Sequence, residues 1–406
     1  MMRQVAITGM GVVSPLGCEL GRFWERVKNG VSAGRRIQSF DASAYDSQIA
    51  AEVIEFNADD FVSRKEQRRT DLFCQYALAA AKLALGDSGL NLGAENPERV
   101  GVLVGSGIGG LKTLQEQHSN LLQRGPSRCS PFMIPQMIIN MASGLIAIQY
   151  GCKGPNFAIA SACASGLHAL GEALRILQRG DADIMLSGGA EATICELAVG
   201  GFSAMKALTT RNDAPEKASR PFDLHRDGFL IGEGAGVLVL EELERARRRG
   251  ARIYALVSGF GMSCDAFHIT APDDRGTGAA QAMRLAIQDA GLTPEDIDYI
   301  NAHGTSTPLN DKIETHAIKA ALGEARARRI MVSSSKSMHG HLLGAAGAVE
   351  TAICALALRD GVVPPTINYE TPDPACDLDY VPNTARQAPL RACLNNSLGF
   401  GGHNAS

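Results

Sequence analysis

No run of about 18 uncharged apolar residues occurs in the chain, so no transmembrane helix is expected. The N-terminal stretch MMRQVAITGMGVVSPLG enters a strand-like run directly and lacks the long apolar segment of a secretory signal peptide. Basic excess is also missing. The formal net charge is -4, which argues against nucleic-acid or membrane binding through a bulk positive field. The ten cysteines include no C-x-x-C pair and no zinc-ligand spacing. That disfavours a disulfide framework or a structural zinc site and fits reduced thiols in the cytoplasm. What is present is bulk. The 406 residues are 45% hydrophobic and include 44 glycines, enough for two domains or one double-sized domain.

Short apolar runs alternate with longer stretches of helical spacing. Strands are expected at 4–8, 100–104, 157–161, 184–187, 236–240, 254–259, 299–302 and 331–334. Helices are expected at 71–88, 165–178, 278–290, 313–322 and 345–358. The alternation predicts an α/β architecture. Two segments echo one another across the chain. ERVGVLVGSG (98–107) is similar to DIDYINAHGT (296–305), and FAIASACASG (157–166) to MVSSSKSMHG (331–340). These echoes suggest two similar halves, 1–250 and 251–406, divided near EELERARRRG, with 109–150 and 190–235 as insertions. The charged divider is read as a solvated helix face. The sequence stops at GGHNAS, and the sheet strand expected to follow such a glycine turn is read as lying beyond Ser406 or supplied otherwise.

Cys163 lies in SACASG, between an apolar run and a helical pattern. A thiol at a strand-to-helix turn sits near unpaired N–H groups and the positive helix end. Both are expected to lower its pKa and favour thiolate. The same N–H groups can hold an oxyanion, at about 3 kcal/mol per donor. A buried structural cysteine is the alternative on spacing alone. His303, in NAHGTSTPLND, and His341, in KSMHGHLLGAAG, each follow a candidate parallel strand, where α/β sites gather. Lys336 and Glu350 flank the second histidine and are expected to pair. Two imidazoles donating to one carbonyl oxygen suit a reaction that develops an enolate, and a cysteine can hold an acyl group as a thioester. Condensing the two makes a carbon–carbon bond.

ITGMGVVSPLG, RKEQRRTD, SACASG, RPFDLHRDGFLIGEGAGVLVLEE, NAHGTSTPLND, SSSKSMHGHLLGAAGAVE, VPPTIN and GFGG, in this order, resemble the motifs of the β-ketoacyl-[acyl carrier protein] synthases, most closely the type II elongating enzymes. The resemblance covers essentially the whole chain. It implies a thiolase-like fold, in which two duplicated halves form a five-layered α-β-α-β-α core. It implies decarboxylative Claisen condensation in fatty acid biosynthesis, with Cys163 as nucleophile. His303 and His341 would bind the malonyl carbonyl, Lys336 would act as electrostatic support, and the amides of Cys163 and Phe400 would form an oxyanion hole. Phe400 would also gate the acyl chain.

The same resemblance groups Ile108, Phe202, Thr270, Thr305, Thr307, His268 and Glu350 with substrate binding, and Met133 with the acyl tunnel. It implies acyl carrier protein as partner, docking on Lys65, Arg68 and Lys206 among the basic spots that also include Arg64, Arg69, Arg124 and Arg128. No cofactor is required beyond the 4'-phosphopantetheine that the partner carries. Related enzymes hold a monovalent cation near Asn301, Glu350, Asn396 and Ser397. A homodimer is implied, with no nucleic-acid or membrane partner. Three positions depart from the family pattern: His339 and His403 replace threonines, and Leu398 replaces a phenylalanine. They leave open a dedicated polyketide or secondary-metabolite synthase. A non-condensing scaffold subunit is the alternative of another class, and the complete Cys163, His303, His341 set argues against it.

Overall fold

The computed structural model describes residues 2–406. Its first sheet contains β1 (Val5–Val13), β2 (Val100–Gly105), β3 (Asn156–Phe157), β4 (Ile184–Glu191), β5 (Gly234–Glu242) and β6 (Ala255–Val257), in the order β3-β2-β4-β5-β1-β6. The pairs that β2 makes with β3 and β4 are parallel, and the pairs from β4 through β5 and β1 to β6 are antiparallel. The second half contributes β7 (Met262–Cys264), β8 (Tyr299–Asn301), β9 (Met331–Ser333), β10 (Cys393–Asn395), β11 (Ser397–Gly399) and β12 (His403–Ala405). Here β9-β8-β10 is parallel and β11-β12-β7 is antiparallel. Only Asn396 separates β10 from β11, so the two run on as one strand. Leaving β6 aside, each half therefore has the order third, second, fourth, fifth, first, with the same strand directions. The duplication that the sequence only hints at is explicit in the topology.

Five helices complete the layers. α1 (Leu72–Ser88) covers the outer face of the first sheet. α2 (Ser165–Arg179) and α5 (Ala346–Asp360) lie between the sheets, and α3 (Thr277–Asp289) and α4 (Pro308–Leu322) cover the second sheet. The result is an α-β-α-β-α sandwich, a thiolase-like arrangement. α2 and α5 are buried along most of their length, as their Ala, Leu and Gly content allows. At the seam between the halves, backbones touch. A Cβ on Gly189 would meet the carbonyl oxygen of Gly344 at 2.2 Å, so neither β4 nor the turn before α5 can carry a side chain there.

Every expected strand and helix forms, with shifted ends. The strand expected at 157–161 contracts to two residues because the chain peels away toward Cys163, keeping one tie from the Ser106 amide to the Ile159 carbonyl. α4 starts five residues earlier than its apolar spacing suggests, with Pro308 at its first turn. The strand expected to follow the glycine turn beyond the given sequence is instead formed within it: β12 begins at His403 and pairs on both edges.

Candidate active site

The turn that carries Cys163 is built from its neighbours. Ala162 has φ of 51°, a left-handed conformation that a non-glycine residue adopts only when its surroundings hold it. Ser165 holds it: its hydroxyl accepts from the Ser161 amide at 2.9 Å and donates to the Ala162 carbonyl at 2.6 Å. The turn then enters α2. Gly399 lies directly against it, where a Cβ would meet the Ser161 carbonyl oxygen at 2.6 Å. This close approach brings the amide of the next residue, Phe400, to the Cys163 sulfur. The expected depression of the thiol is overturned: burial pushes Cys163 up to about 12, against the downward pull of Lys336 and of the Phe400 and Cys163 amides, with Glu191 adding to the rise. The resting group is a thiol, because desolvation outweighs the helix end.

The histidines come from the second half. His303 follows β8, and its amide and that of Gly304 each donate to the Glu314 carboxylate of α4 at 2.8 Å. His341 follows the helical turn Lys336–His339. Its amide donates to the Leu230 carbonyl at 2.7 Å and its carbonyl accepts from the Gly232 amide at 2.9 Å. The two rings lie 5.3 Å apart at 86°. Nδ1 of each is buried without a partner, and both residues line the cavity. Burial first, then the Lys336 charge, hold both imidazoles well below the usual histidine range, so both are neutral at pH 7. Lys336 is itself buried, with Nζ 2.5 Å from Glu350 Oε1 on α5. It acts electrostatically on Cys163, His303 and His341 alike.

These groups meet on one cavity of about 600 Å³. Its wall includes Cys163, His303, His341 and Phe400, together with Ile108, Phe202, Thr270, Thr305, Thr307, Lys206 and Leu398. Thr305 and Thr307 share a 2.9 Å hydroxyl contact. Two residues grouped with substrate binding do not reach the cavity. Glu350 is fully buried beneath Lys336, as its ion pair requires. His268 stands beside the mouth, and its Nδ1 accepts from the amides of Thr270 and Ala271, at 3.2 and 3.1 Å, shaping their loop. Met133, Lys65 and Arg68 also lie off the wall; Lys65 and Arg68 are exposed on and just after the short helix Arg64–Gln67. Of the three departures, only Leu398 lines the cavity.

Two carboxylates that sequence reasoning missed hold the site together. Glu191, buried at the end of β4, accepts from the Ser106 hydroxyl and from the amides of Gly107, Ile108, Gly109 and Gly344. It thereby joins the GSGIGG loop of one half to the turn before α5 of the other. Glu314 does the same for the His303 loop and also accepts from Asn396 Nδ2 at 3.2 Å. The available signal was an acidic residue inside otherwise buried segments, IMLSGGAE and the inner face of α4.

Comparison with known proteins places this architecture. The 3-oxoacyl-[acyl-carrier-protein] synthase 2 of Coxiella burnetii is 52% identical over 404 residues, covering 100% of this chain and 97% of the relative. Its counterpart from Synechocystis is 51% identical with the same coverage. Among solved structures, a ketosynthase in complex with its type II polyketide acyl-carrier protein superposes with a TM-score of 0.92. It is 36% identical and the match covers 100% of this chain and 98% of the other. Residues 2–246 match the beta-ketoacyl synthase N-terminal domain and residues 254–370 the C-terminal domain. With both domain models matched in order and relatives identical at half their positions, the chain belongs to the beta-ketoacyl synthase family.

Proposed function

We propose that the protein is an elongating 3-oxoacyl-[acyl carrier protein] synthase of fatty acid biosynthesis, with Cys163 carrying the acyl chain and His303 and His341 activating the malonyl unit. The observation that carries this reading is the meeting of one thiol and two neutral imidazoles on a single cavity wall. The first step exchanges thiols. The Cys163 sulfur attacks the acyl thioester, the carrier's pantetheine sulfur leaves, and the proton lost from Cys163 ends on that leaving thiol. No external base is consumed, so a resting thiol is compatible with the exchange. The Cys163 and Phe400 amides hold the oxyanion. In the second step the malonyl thioester loses CO₂. The electron pair released forms an enolate whose oxygen accepts from the two Nε2–H groups. The enolate carbon then attacks the Cys163 thioester, its C–S bond breaks, and the Cys163 sulfur leaves as thiolate and takes one proton from water to restore the thiol. Neutral rings fixed by burial are ready donors that need no reorganisation as charge develops.

The partner reading extends to acyl carrier protein, the substrate carrier in the relatives' names. Lys206 at the mouth and the exposed Lys65 and Arg68 offer cations for an acidic partner. A homodimer is supported by the open edge of β3, where Phe157 is exposed and Ile148 lies nearby in sequence, also exposed. A monovalent cation fits the buried, unpartnered oxygens Asn301 Oδ1, Glu350 Oε2 and Ser397 Oγ, where it would compensate charge beside Lys336 and Glu350. Cytoplasmic residence fits ten unpaired thiols, and no helix among the described residues is long and apolar enough to cross a membrane. The division into halves is drawn at 250/251.

The test is mass spectrometry after incubation with acyl-carrier protein. An acyl adduct on the Cys163 peptide, absent in Cys163→Ala, is expected. CO₂ release from malonyl-carrier protein should survive Cys163→Ala and be lost in His303→Ala and His341→Ala. Retained acylation in Cys163→Ala would refute the nucleophile. Absence of any adduct in the parent would favour a scaffold subunit.

A further inference from the structure

We infer that His339 is a positioning residue that sets the spacing of the two cavity histidines. Its ring is fully buried and absent from the cavity wall, yet both its nitrogens are engaged. Nδ1 lies 2.7 Å from the carbonyl oxygen of Gly340, an acceptor only, so Nδ1 carries the proton and donates it. Nε2, 3.0 Å from the Ser335 hydroxyl, must then accept from it. The Ser335 oxygen in turn accepts from Asn301 Nδ2 at 3.4 Å. These bonds form one directed chain: Asn301 to Ser335 to His339 to the Gly340 carbonyl.

The two ends of that chain are what matter. Asn301 closes β8, two residues before His303. Gly340 carries the peptide bond into His341. Gly340 is also held at φ of 70°, where its own amide donates to the Lys336 carbonyl at 3.0 Å. The reversal between Lys336 and His341 is therefore sharp. The His339 ring spans it, linking Ser335 at its start to Gly340 at its end. The histidines must converge on one oxygen, so a change in the angle of the Gly340–His341 peptide moves one donor relative to the other. Cys163 belongs to the other half and receives nothing from this chain. The inference rests on the assignment of His303 and His341 to decarboxylation.

The experiment measures the two half-reactions separately in the full-length protein. Acylation of Cys163 is followed by intact mass with acyl-carrier protein, and CO₂ release with malonyl-carrier protein. His339→Phe keeps an aromatic ring and removes both bonds. It is expected to acylate within about twofold of the parent while CO₂ release falls about tenfold, as small misplacements of reacting groups do. His339→Asn keeps a donor near Gly340, and His339→Gln keeps a group near Ser335. Each should restore part of the loss, and both carry the test if His339→Phe does not fold. A parallel fall in both half-reactions, or unchanged CO₂ release, would overturn the positioning role. His303→Ala is run alongside. If it loses CO₂ release while the His339 variants do not, only the positioning role fails. If it keeps CO₂ release, the histidine assignment fails and takes this inference with it.

Discussion

Gly399→Ala tests how the first oxyanion site is built. The substitution would put a Cβ 2.6 Å from the Ser161 carbonyl oxygen and 3.3 Å from the backbone nitrogens of Cys163 and Ala164. Ordinary contact begins at 3.4 Å, so the β11 end must retreat by about 0.8 Å from the oxygen. The obstructing atoms are backbone, held by Ser165, and cannot swing aside. A donor moved that far from an oxyanion, starting near 2.9 Å, is beyond hydrogen-bond distance. Losing one such donor costs about 3 kcal/mol, or roughly 10²-fold in rate. The assay is the rate of Cys163 acylation by acyl-carrier protein, followed by intact mass. Gly144→Ala is the control, because a Cβ there, in the helix Met141–Tyr150, meets nothing. Acylation should slow about 100-fold in Gly399→Ala and remain unchanged in the control. CO₂ release should fall far less, since the proposed mechanism assigns that step to the histidine pair. A folded Gly399→Ala protein that acylates at the parental rate would refute the assignment of the Phe400 amide.

Three further outcomes follow from the same geometry. Glu191→Gln exchanges an acceptor oxygen for a donor facing backbone N–H groups; stability should fall by about 2–3 kcal/mol, seen as a lower thermal midpoint, and an unchanged midpoint would deny it a joining role. Lys336→Met strands Glu350 in the core and should cost about 3–5 kcal/mol; Lys336→Met with Glu350→Met should recover most of that in a denaturant melt without recovering CO₂ release. Because burial and Lys336 lower both histidine pKa values, the rings stay neutral until the pH drops below the depressed values. Decarboxylation measured in Cys163→Ala should therefore be flat from about pH 8 to 6.5, and an acid limb centred at about 6.5 or above would contradict the neutral pair.

What the sequence made legible was local chemistry. Cys163, His303 and His341 stand in turns after strands, and a short apolar run followed by glycine and a helical pattern is visible without coordinates. The ordered motifs added Phe400, Thr305 and Thr307, which do line the cavity. Long-range facts were not visible. Glu191 and Glu314 act by gathering amides from distant loops, and an acidic letter at a strand end does not say which amides it will meet. Desolvation was misjudged for the same reason. The helix end beside Cys163 is local and can be read from spacing, whereas the burial that overrides it is a property of the packed cavity. β7 (MSC), β10 (CLN) and β11 (SLG) were missed because none carries the run of apolar residues that marked the expected strands.

The duplication explains why this chemistry needs both halves. Cys163 stands between the third strand and the central helix of its half, and His341 stands at the equivalent place in the other, before α5. The central helices pack together, so their leading turns are neighbours. On the proposed mechanism one copy of the position holds the nucleophile for the thioester and the other a donor for the enolate. A single half would present one or the other. On that mechanism the new carbon–carbon bond joins what each half holds, which makes the seam between them part of the catalyst. The bare backbone contact of Gly189 with Gly344, and the Glu191 carboxylate that ties Gly344 to the GSGIGG loop, fix the two halves against each other at this seam. Side chains at that seam would therefore be expected to impair acylation and condensation more than CO₂ release, because the first two reach across it from Cys163 to Phe400 or to the malonyl unit, whereas His303 and His341 lie in one half.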